Sequence, residues 1–366
     1  MSKATAFVLE SARNLQAREF PIPEIRADDA LLRVEACGLC GTDYEQWLGH
    51  MEHFGSGMPI IPGHEIMGHI ERIGPLAAKR WKVKEGDRVA IEPIIPCGHC
   101  EDCVQGEYTR CQSDLGYGLY QSAAVAPHLW GGYATHVYLH PRTMVHKLPA
   151  DVPTDLMTLV NPLSNAIRWA YEIGGASLGK TVVIAGPGQR GLLAAAAARK
   201  AGASNIIVTG TSADAARLDL ALKLGATAVI DVEKEDPVAR VRELTGGALA
   251  DVVLDVSAGA VTPILQGIDM VKRGGRVVLA GLKGKNQLNN FPVDKVVLRE
   301  IQLLGVLSAG WQSTELAIEM IRADAEQLKA LCSHVFTLDK ATEAVRTLGR
   351  EISDGKDAVH ITLVPG

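Results

Sequence analysis

The segment TVVIAGPGQRG, residues 181–191, is the part of the sequence that decides the fold. A short apolar run leads directly into a glycine-rich loop, and the apolar run LLAAAAARKAG follows it. The spacing G-x-G-x-x-G is weak evidence alone, but between a strand and a helix it indicates a loop that binds a dinucleotide. The alternative is a glycine turn with only a structural role. The predicted cofactor-binding residues of this loop are Gly186, Gly188, Gln189, Arg190 and Gly191.

The next strand of this series, in NIIVTGTSADAARL, bears on the choice between NAD and NADP. An NAD site usually ends this strand with Asp or Glu, which binds the ribose 2′-hydroxyl. Counted from the strand, Gly210 takes that place; counted back from the helix, Ser212 does. The missing acid removes repulsion against a 2′-phosphate, and Thr211 and Ser212 have donors for one. The nearest basic residue, however, is Arg217, so the sequence leaves both cofactors open.

The pattern of strands and helices divides the chain into two domains. Residues 162–308 alternate Val- and Ile-rich strands with helices, as in a Rossmann-type, doubly wound parallel sheet that helices cover on both faces. Residues 1–161 read as short strands broken by Gly and Pro. Residues 309–366 contain an amphipathic helix, STELAIEMIRADAEQLKAL, and a strand, AVHITLVPG, which we expect to pack back on the first domain. The predicted fold class is α/β with a β-rich second domain.

Length and composition are those of an ordinary globular protein. A chain of 366 residues is expected to form about two domains. The formal net charge of −5 gives no electrostatic reason to expect binding to nucleic acid or to an anionic membrane. The sequence has neither a signal-peptide pattern nor an apolar run of transmembrane length, and its seven cysteines are an odd number. We therefore expect a cytoplasmic protein.

Four cysteines lie within the run CGHCEDCVQGEYTRC, residues 97–111. Two-residue gaps let neighbouring thiolates turn toward one small ion, and the longer gap lets the chain return with a fourth. Such a set suits tetrahedral zinc, and because four thiolates close the site, the zinc would be structural. The alternatives are two disulfides or cysteines buried as small apolar groups, although C-x2-C pairs make strained disulfides. The predicted ligands are Cys97, Cys100, Cys103 and Cys111.

A second set of metal-binding residue types lies upstream. Cys40 occurs in GLCGTD, and His64 and Glu65 occur in PGHEIMG. Each alone is more often a core residue, but beside a four-cysteine run and a dinucleotide fold they suggest a catalytic zinc with an open position. Glu65 could ligate directly or lie just outside the ligand set. Asp43 is suited to orient His64 through its other ring nitrogen.

In the order of these motifs the chain resembles the zinc-dependent medium-chain dehydrogenases/reductases, the alcohol and polyol dehydrogenase superfamily. The resemblance covers nearly the whole length, through GLCGTD, PGHEIMG, the four-cysteine run, GGYATHV, GPGQRG, LALKLGA and RVVLAG. It implies a GroES-like catalytic domain formed by residues 1–161 and 309–366. It also implies a Rossmann domain over residues 162–308 and an active site in the cleft between the two.

The resemblance also assigns roles to individual residues. Cys40 and His64 match the first two catalytic zinc ligands of the family. Glu65 matches a glutamate that binds zinc in some members and lies outside the ligand set in others. Asn161 stands where a further ligand usually lies, and because a neutral amide is a poor zinc ligand, direct coordination by Glu65 gains weight. Thr42 matches the residue that hydrogen-bonds the substrate oxygen, and Glu45 replaces a relay histidine and either relays protons or lies at the surface.

The function that these features predict is reversible hydride transfer between a primary or secondary alcohol and NAD or NADP, with two zinc ions per chain. Tyr44, Trp47, Ile94 and Ile95 either line an apolar cleft for a hydrophobic or cyclic alcohol or belong to the core. A polyol or sugar dehydrogenase of the sorbitol or threonine type is the alternative. Other classes considered are a zinc-independent reductase on the same fold and a non-catalytic relative. The resemblance further implies a homodimer or homotetramer.

Overall fold

The structure is a computed structural model that describes residues 3–50, 57–113, 115–355 and 357–366. The chain forms two compact units, one of residues 1–161 with 318–366 and one of residues 162–317. The sequence predicted residues 162–308 for the second unit. Within the described ranges, no helix is both long and apolar enough to cross a membrane.

The first unit is built on mainly antiparallel sheet. Its strands are β1 (Lys3–Ser11), β2 (Asn14–Pro21), β3 (Ala30–Leu39), β4 (Glu65–Ile73), β5 (Arg88–Ile91), β6 (His136–Leu139), β7 (Val145–Lys147), β14 (Cys332–Thr337) and β15 (His360–Val364). The strands β1 and β2 form a hairpin. The others form a seven-stranded sheet in the order β14-β15-β3-β4-β5-β7, with β6 on β3. Since β15 pairs with β3, the C-terminal strand packs on the first domain as predicted.

The second unit is a six-stranded sheet in which every neighbouring pair is parallel. Its strands are β8 (Thr181–Ala185), β9 (Asn205–Gly210), β10 (Ala228–Asp231), β11 (Ala250–Asp255), β12 (Val271–Leu279) and β13 (Gln302–Gly305). Their order, β10-β9-β8-β11-β12-β13, is that of a Rossmann fold. All five residues of β8 are buried, as the apolar sequence predicts for a central parallel strand.

Helices connect these strands. They are α1 (Gly41–Trp47), α2 (Pro75–Trp81), α3 (Glu101–Val104), α4 (Thr154–Met157), α5 (Val160–Ile167), α6 (Gln189–Lys200), α7 (Ala215–Lys223), α8 (Pro237–Leu244), α9 (Thr262–Met270), α10 (Val293–Leu298), α11 (Trp311–Ala323), α12 (Ala325–Leu328) and α13 (Ala341–Leu348). A π-helix continues α5 over Arg168–Ile173. Each unit has its own hydrophobic core, around β3 and β4 in the first and around β11 and β12 in the second.

Two elements differ from the sequence prediction. The run STELAIEMIRADAEQLKAL is two helices, because α11 ends at Ala323 and α12 begins at Ala325. In the predicted alternation of strands and helices over residues 162–308, the run PILQGIDMVKRGG is one of the helices, but the helix ends at Met270. Val271 is extended and buried, and it pairs with Ala250 of the adjacent strand, so burial in the sheet outweighs the helical pattern there.

Candidate metal centres and dinucleotide loop

Cys40 lies at the N-terminal cap of α1, directly after β3. Its Sγ accepts a hydrogen bond from the backbone N–H of Thr42 over 3.4 Å. The carboxylate of Asp43 accepts a hydrogen bond from the Cys40 N–H, with Oδ2 at 2.9 Å. This reciprocal capping box fixes the turn and gives the thiol a defined direction at the end of the strand.

His64 and Glu65 bring two further donors to the same point, where β4 begins. The Cys40 Sγ and His64 Nε2 atoms are 3.1 Å apart. The ligand atoms of Cys40, His64 and Glu65 all lie within 4.8 Å of one another, and all three residues are buried. A buried thiol, imidazole and carboxylate that converge in this way are the donor types of a zinc site, so the cluster fits the ion that the sequence predicted.

Asp43 supports this cluster through the backbone, and not through the predicted hydrogen bond to His64. Its Oδ1 accepts a hydrogen bond from the Gly63 N–H over 3.2 Å. The same oxygen lies 3.8 Å from His64 Nδ1, which is the distance of an ion pair and too long for a hydrogen bond. Burial raises the pKa of Asp43 to about 7, against the opposing effect of His64. Asp43 therefore holds the backbone on both sides of the cluster.

The remaining predicted catalytic residues lie at different depths. Thr42 is half-buried in the first turn of α1, next to Cys40. Glu45 is exposed, and its Oε2 lies 2.7 Å from Nδ1 of the exposed His50. Asn161 is half-buried in the first turn of α5. The structure thus places Glu45 at the surface, in contact with a titratable partner.

The four cysteines of residues 97–111 form a second cluster, the cysteine lobe. Their Sγ atoms all lie within 4.8 Å of one another, and none of them forms a disulfide. The backbone N–H groups of Cys97 and Cys100 donate to Cys111 Sγ and Cys97 Sγ over 3.2 and 3.3 Å. Backbone N–H groups that point at sulfur stabilise thiolates, and the four-sulfur set fits a closed zinc site.

The cysteine lobe has one thiol with a lowered pKa, and side chains connect the lobe to the rest of its unit. Hydrogen bonds from the backbone of His99 and Cys100 lower the pKa of Cys97 to about 6. The Arg142 side chain donates to the carbonyl of Cys97 over 2.8 Å. The hydroxyl of Tyr108 donates to the Glu92 carboxylate over 2.7 Å. The lobe is therefore preorganised for metal and attached to the β-domain beneath it.

The glycine-rich loop has the geometry that its sequence predicted. Gly186 follows β8 with φ +107, and Gly188 caps helix α6. A methyl group at Gly191 would lie 1.9 Å from the Gly186 carbonyl oxygen, so no larger residue fits there. At Gly188 such a group would meet nothing within 4 Å, which leaves the backbone accessible to a ligand. Arg190 lies with its guanidinium 5.6 Å from the centre of the Trp169 ring.

The segment after β9 lies beside this loop. A methyl group at Gly210 would lie 2.7 Å from Cγ of Pro187. The donors of the next two residues are already used. Thr211 donates from N and Oγ1 to Asp214, whereas Ser212 donates from N to Glu233 and from Oγ to Asp231. These donors were the groups that the sequence offered to a 2′-phosphate. Arg217 is half-buried near the start of α7.

Several residues around the metal cluster were missed by sequence reasoning. A methyl group at Gly38 would lie 2.5 Å from Glu65 Oε2, so this glycine makes room for the carboxylate. Gly63 has φ +89 and lies against the Tyr133 ring. Among the described residues, the buried Tyr133 hydroxyl has no hydrogen-bond partner. Both glycines are visible in the motifs, but the role of Gly38 follows only from its pairing with Glu65 across β3 and β4.

Of the four residues that the sequence assigned either to an apolar cleft or to the core, Trp47, Ile94 and Ile95 are buried and Tyr44 is half-buried. Trp47 and Ile95 belong to the hydrophobic core of the first unit, and Ile94 is buried. Tyr44 packs against that core and donates its hydroxyl to Glu351 over 3.1 Å. These side chains are used for packing.

Two family models match the chain. The alcohol dehydrogenase GroES-like domain matches residues 26–150, and the zinc-binding dehydrogenase domain matches residues 191–323. A Mycobacterium tuberculosis protein named "Probable alcohol dehydrogenase" is 42% identical over 364 residues, which cover 98% of each chain. Human sorbitol dehydrogenase is 32% identical over 345 residues, 93% of this chain and 92% of its own.

Solved structures agree with these matches. An alcohol dehydrogenase from Thermotoga maritima superposes with a TM-score of 0.89 at 27% identity, over 100% of both chains. A protein from Sinorhizobium meliloti, assigned as a zinc-binding dehydrogenase and bound to NADP, superposes with a TM-score of 0.85 at 26% identity, also over 100% of both chains. The chain therefore belongs to the zinc-dependent medium-chain dehydrogenases/reductases, and the predicted resemblance and fold class are confirmed. The cysteine lobe fits a structural zinc, the cluster of Cys40, His64 and Glu65 fits a catalytic zinc, and the protein uses NAD(P).

Proposed function

We propose that the protein is a zinc-dependent oxidoreductase that transfers hydride reversibly between an alcohol and a nicotinamide dinucleotide. The observation that carries this proposal is the convergence of a buried thiol, imidazole and carboxylate within 4.8 Å, in a chain of this family. A non-catalytic relative would have no need to keep these groups buried together. A zinc-independent reductase would have no need for the cysteine lobe.

Cys40, His64 and Glu65 would hold the catalytic zinc, which when bound lowers the pKa of a coordinated alcohol and polarises a carbonyl. The capping box at Cys40 fixes the thiolate, and Asp43 fixes the turn on either side. We assign Thr42 Oγ1 as the atom that takes the hydroxyl proton, because Thr42 lies two residues after the thiolate ligand and is partly exposed. Glu45 with His50 lies at the surface, where a proton would reach solvent.

The third protein ligand is a separate choice. Glu65 has its carboxylate among the converging atoms, and Gly38 leaves room for it. Asn161 offers only a neutral amide, which binds zinc poorly. We therefore propose Glu65 as the ligand. Replacing Asn161 with Ala should change activity less than replacing Glu65 with Ala.

The glycine-rich loop would bind the dinucleotide, which supplies the hydride acceptor of the reaction. The open backbone at Gly188, at the N-terminus of α6, offers amide donors to the pyrophosphate. Gly186 and Gly191 let the loop come close to helix and strand. Gln189 and Arg190 begin the helix beside them.

A polyol is the second candidate substrate. Human sorbitol dehydrogenase covers 93% of this chain at 32% identity. Trp47 and Ile95 lie in the core and Tyr44 packs against it, so they give no reason to prefer a hydrophobic alcohol. The experiment is a panel of primary, secondary and cyclic alcohols and polyols, read at the nicotinamide absorbance. Oxidation of one class supports the proposal, and no turnover of any member by the zinc-loaded protein would contradict it.

We further propose a cytoplasmic homo-oligomer. Strand β13 ends the order of the described six-stranded sheet. Helix α10 next to it in sequence exposes Val293, Val297 and Leu298 at 56%, 65% and 69% of their surface. Exposed apolar side chains next to a sheet edge favour contact with a second copy. A single species of monomer mass in light scattering would contradict this proposal.

A further inference from the structure

The end of strand β9 carries an unusual charge arrangement. In a Rossmann fold the ligand binds outside the carboxyl ends of the strands, and the second strand of the series carries the residue that meets the adenosine ribose. Here that strand is β9, and it ends at Gly210, whose Cα faces Pro187 of the glycine-rich loop. The segment that follows, Thr211 and Ser212, therefore stands where the ribose 2′-position is read.

Three carboxylates surround this segment, although none occupies the usual position at the strand end. Asp214 accepts from Thr211 Oγ1 over 2.7 Å. Asp231, the last residue of β10, accepts from Ser212 Oγ over 2.7 Å. Glu233 accepts from Ser212 N over 2.9 Å. The acid that is missing from β9 is thus replaced by acids from the following turn and from the neighbouring strand.

The balance of charge at this point is negative. Lys234 lies 2.8 Å from Asp231 Oδ2, and the half-buried Arg217 lies three residues after Asp214, so two basic residues stand against three carboxylates. Lys234 and Ser212 lower the pKa of Asp231, which keeps that carboxylate ionised at neutral pH. Carboxylates only accept hydrogen bonds, so they can receive a ribose hydroxyl but offer nothing to a phosphate. The donors of Thr211 and Ser212 that a phosphate would need are bound to these acids.

We infer that Asp231 and Glu233, with Asp214, make this site select NAD over NADP. The inference rests on the proposed dinucleotide site and names its cofactor. It does not follow from the family, because a relative of the same fold at 26% identity binds NADP. A 2′-phosphate at Ser212 would meet several like charges at short range and would have to displace two hydrogen bonds.

The test is calorimetric titration of the full-length, zinc-loaded protein with ADP-ribose and with 2′-phospho-ADP-ribose. These probes bind without turnover, so the readout does not depend on the substrate. We expect ADP-ribose to bind at least about tenfold more tightly, since each close like-charge pair costs on the order of one decade in affinity. Raising the salt from about 0.1 M to about 1 M should reduce the ratio, because Glu233 is exposed to solvent and the other two carboxylates are partly exposed.

Variants test whether the charges of Asp231 and Glu233 cause the preference. The double change Asp231→Asn with Glu233→Gln should tighten binding of 2′-phospho-ADP-ribose about tenfold and change ADP-ribose binding by less than about threefold. Glu233→Gln alone should act in the same direction, and because Glu233 is exposed, this variant should fold. The matched control is Glu235→Gln, an exposed acid that faces Arg240 instead, and it should change neither affinity.

Tighter or equal binding of the phosphorylated probe by the wild type would overturn the inference while leaving the proposed function intact. The same holds if both the double variant and Glu233→Gln bind the two probes as the wild type does. Failure of the wild type to bind either probe would contradict the proposed function as well.

Discussion

The two clusters of metal-binding residues are built in opposite ways. The cysteine lobe takes its four donors from fifteen consecutive residues, and each of its cysteines is half-buried. The Cys40 cluster joins residues 24 positions apart in sequence, at the ends of two paired strands, and leaves at most 4% of each residue exposed. A local loop can order itself around an ion, whereas the buried cluster depends on the sheet that carries it.

The difference extends to electrostatics. In the lobe, backbone N–H groups lower the pKa of Cys97 to about 6, whereas burial raises the pKa of Cys103 to about 12, so Cys97 is the thiol that ionises more readily of the two. Beside the other cluster, burial raises the pKa of Cys37 well above its ordinary value, with Asp43 and Glu65 adding to it. Half-exposed thiols that are all alike suit a closed structural site. A buried mixed set of donors is typical of a site that leaves a position for substrate.

The strongest test of this comparison is Cys40→Ala. Loss of the thiolate ligand should lower kcat for alcohol oxidation at least about a thousandfold, because the transition-state charge loses its zinc. Binding of the dinucleotide, measured by calorimetry, should remain. The matched control is Cys332→Ala, a half-buried thiol in β14, which should keep its activity. Turnover near the wild-type rate in Cys40→Ala would remove the catalytic role of this cluster.

In the lobe, Cys111→Ala should have the opposite signature. We expect the midpoint of thermal unfolding to fall by roughly 5–10 °C, since a structural zinc contributes its binding energy to folding. The kcat per folded, zinc-loaded active site should change by less than about threefold, because the lobe does not touch the reacting atoms in this account. Scanning calorimetry and activity per active site give the two values. A large fall in kcat without a fall in stability would reverse the assignment.

A smaller effect is expected from Gly38→Ala. The added methyl group would lie 2.5 Å from Glu65 Oε2, so the carboxylate must move. We expect zinc affinity at the Cys40 cluster to weaken about 10–100-fold, as for other changes that misplace a ligand. Competition with a chelator measures it. At Gly41 a methyl group meets nothing within 4 Å, so Gly41→Ala should keep its zinc affinity and serves as the control.

The smallest predicted effect is a pH dependence of stability from His360. Burial lowers the pKa of this histidine to about 3, while Thr158 Oγ1 lies 2.7 Å from its Nε2. The unfolded chain takes up the proton first, so this histidine destabilises the fold progressively as the pH falls below about 6.5, by up to about 1.4 kcal/mol per pH unit. Denaturant unfolding at pH 7.5 and 5.5 should show a loss of about 1 kcal/mol that His360→Gln lacks. An equal loss in both proteins would contradict this prediction, because folding would then not lower the pKa of His360.

The local features were predictable from sequence, and the non-local ones were not. Spacing and periodicity were enough to predict the glycine-rich loop, the cysteine lobe and each single strand of the parallel sheet. Each of these features lies within one short stretch of sequence. Gly38 illustrates the limit: its role depends on Glu65 lying opposite it in the register of β3 and β4. Asp231 and Glu233 show the same limit. They lie at and after the end of the neighbouring strand β10, and only the fold brings them to Ser212.

The helical prediction at Val271 failed for the same reason. Its local pattern continued a helix, and the sheet turned that residue into a strand. Asp43 was predicted to hydrogen-bond His64, and the folded chain uses it for the backbone at Cys40 and Gly63 instead. In each case the sequence contained the residue, and its partner was set only by the tertiary fold.

The most direct test of two separate zinc sites is the zinc content per chain of the wild type, Cys40→Ala and Cys111→Ala, each measured on folded protein after removal of loose metal. We expect two zinc ions in the wild type and one in each variant, with activity lost only from Cys40→Ala. One zinc in the wild type that disappears in Cys111→Ala and persists in Cys40→Ala would contradict it, because the Cys40 cluster would then hold no metal.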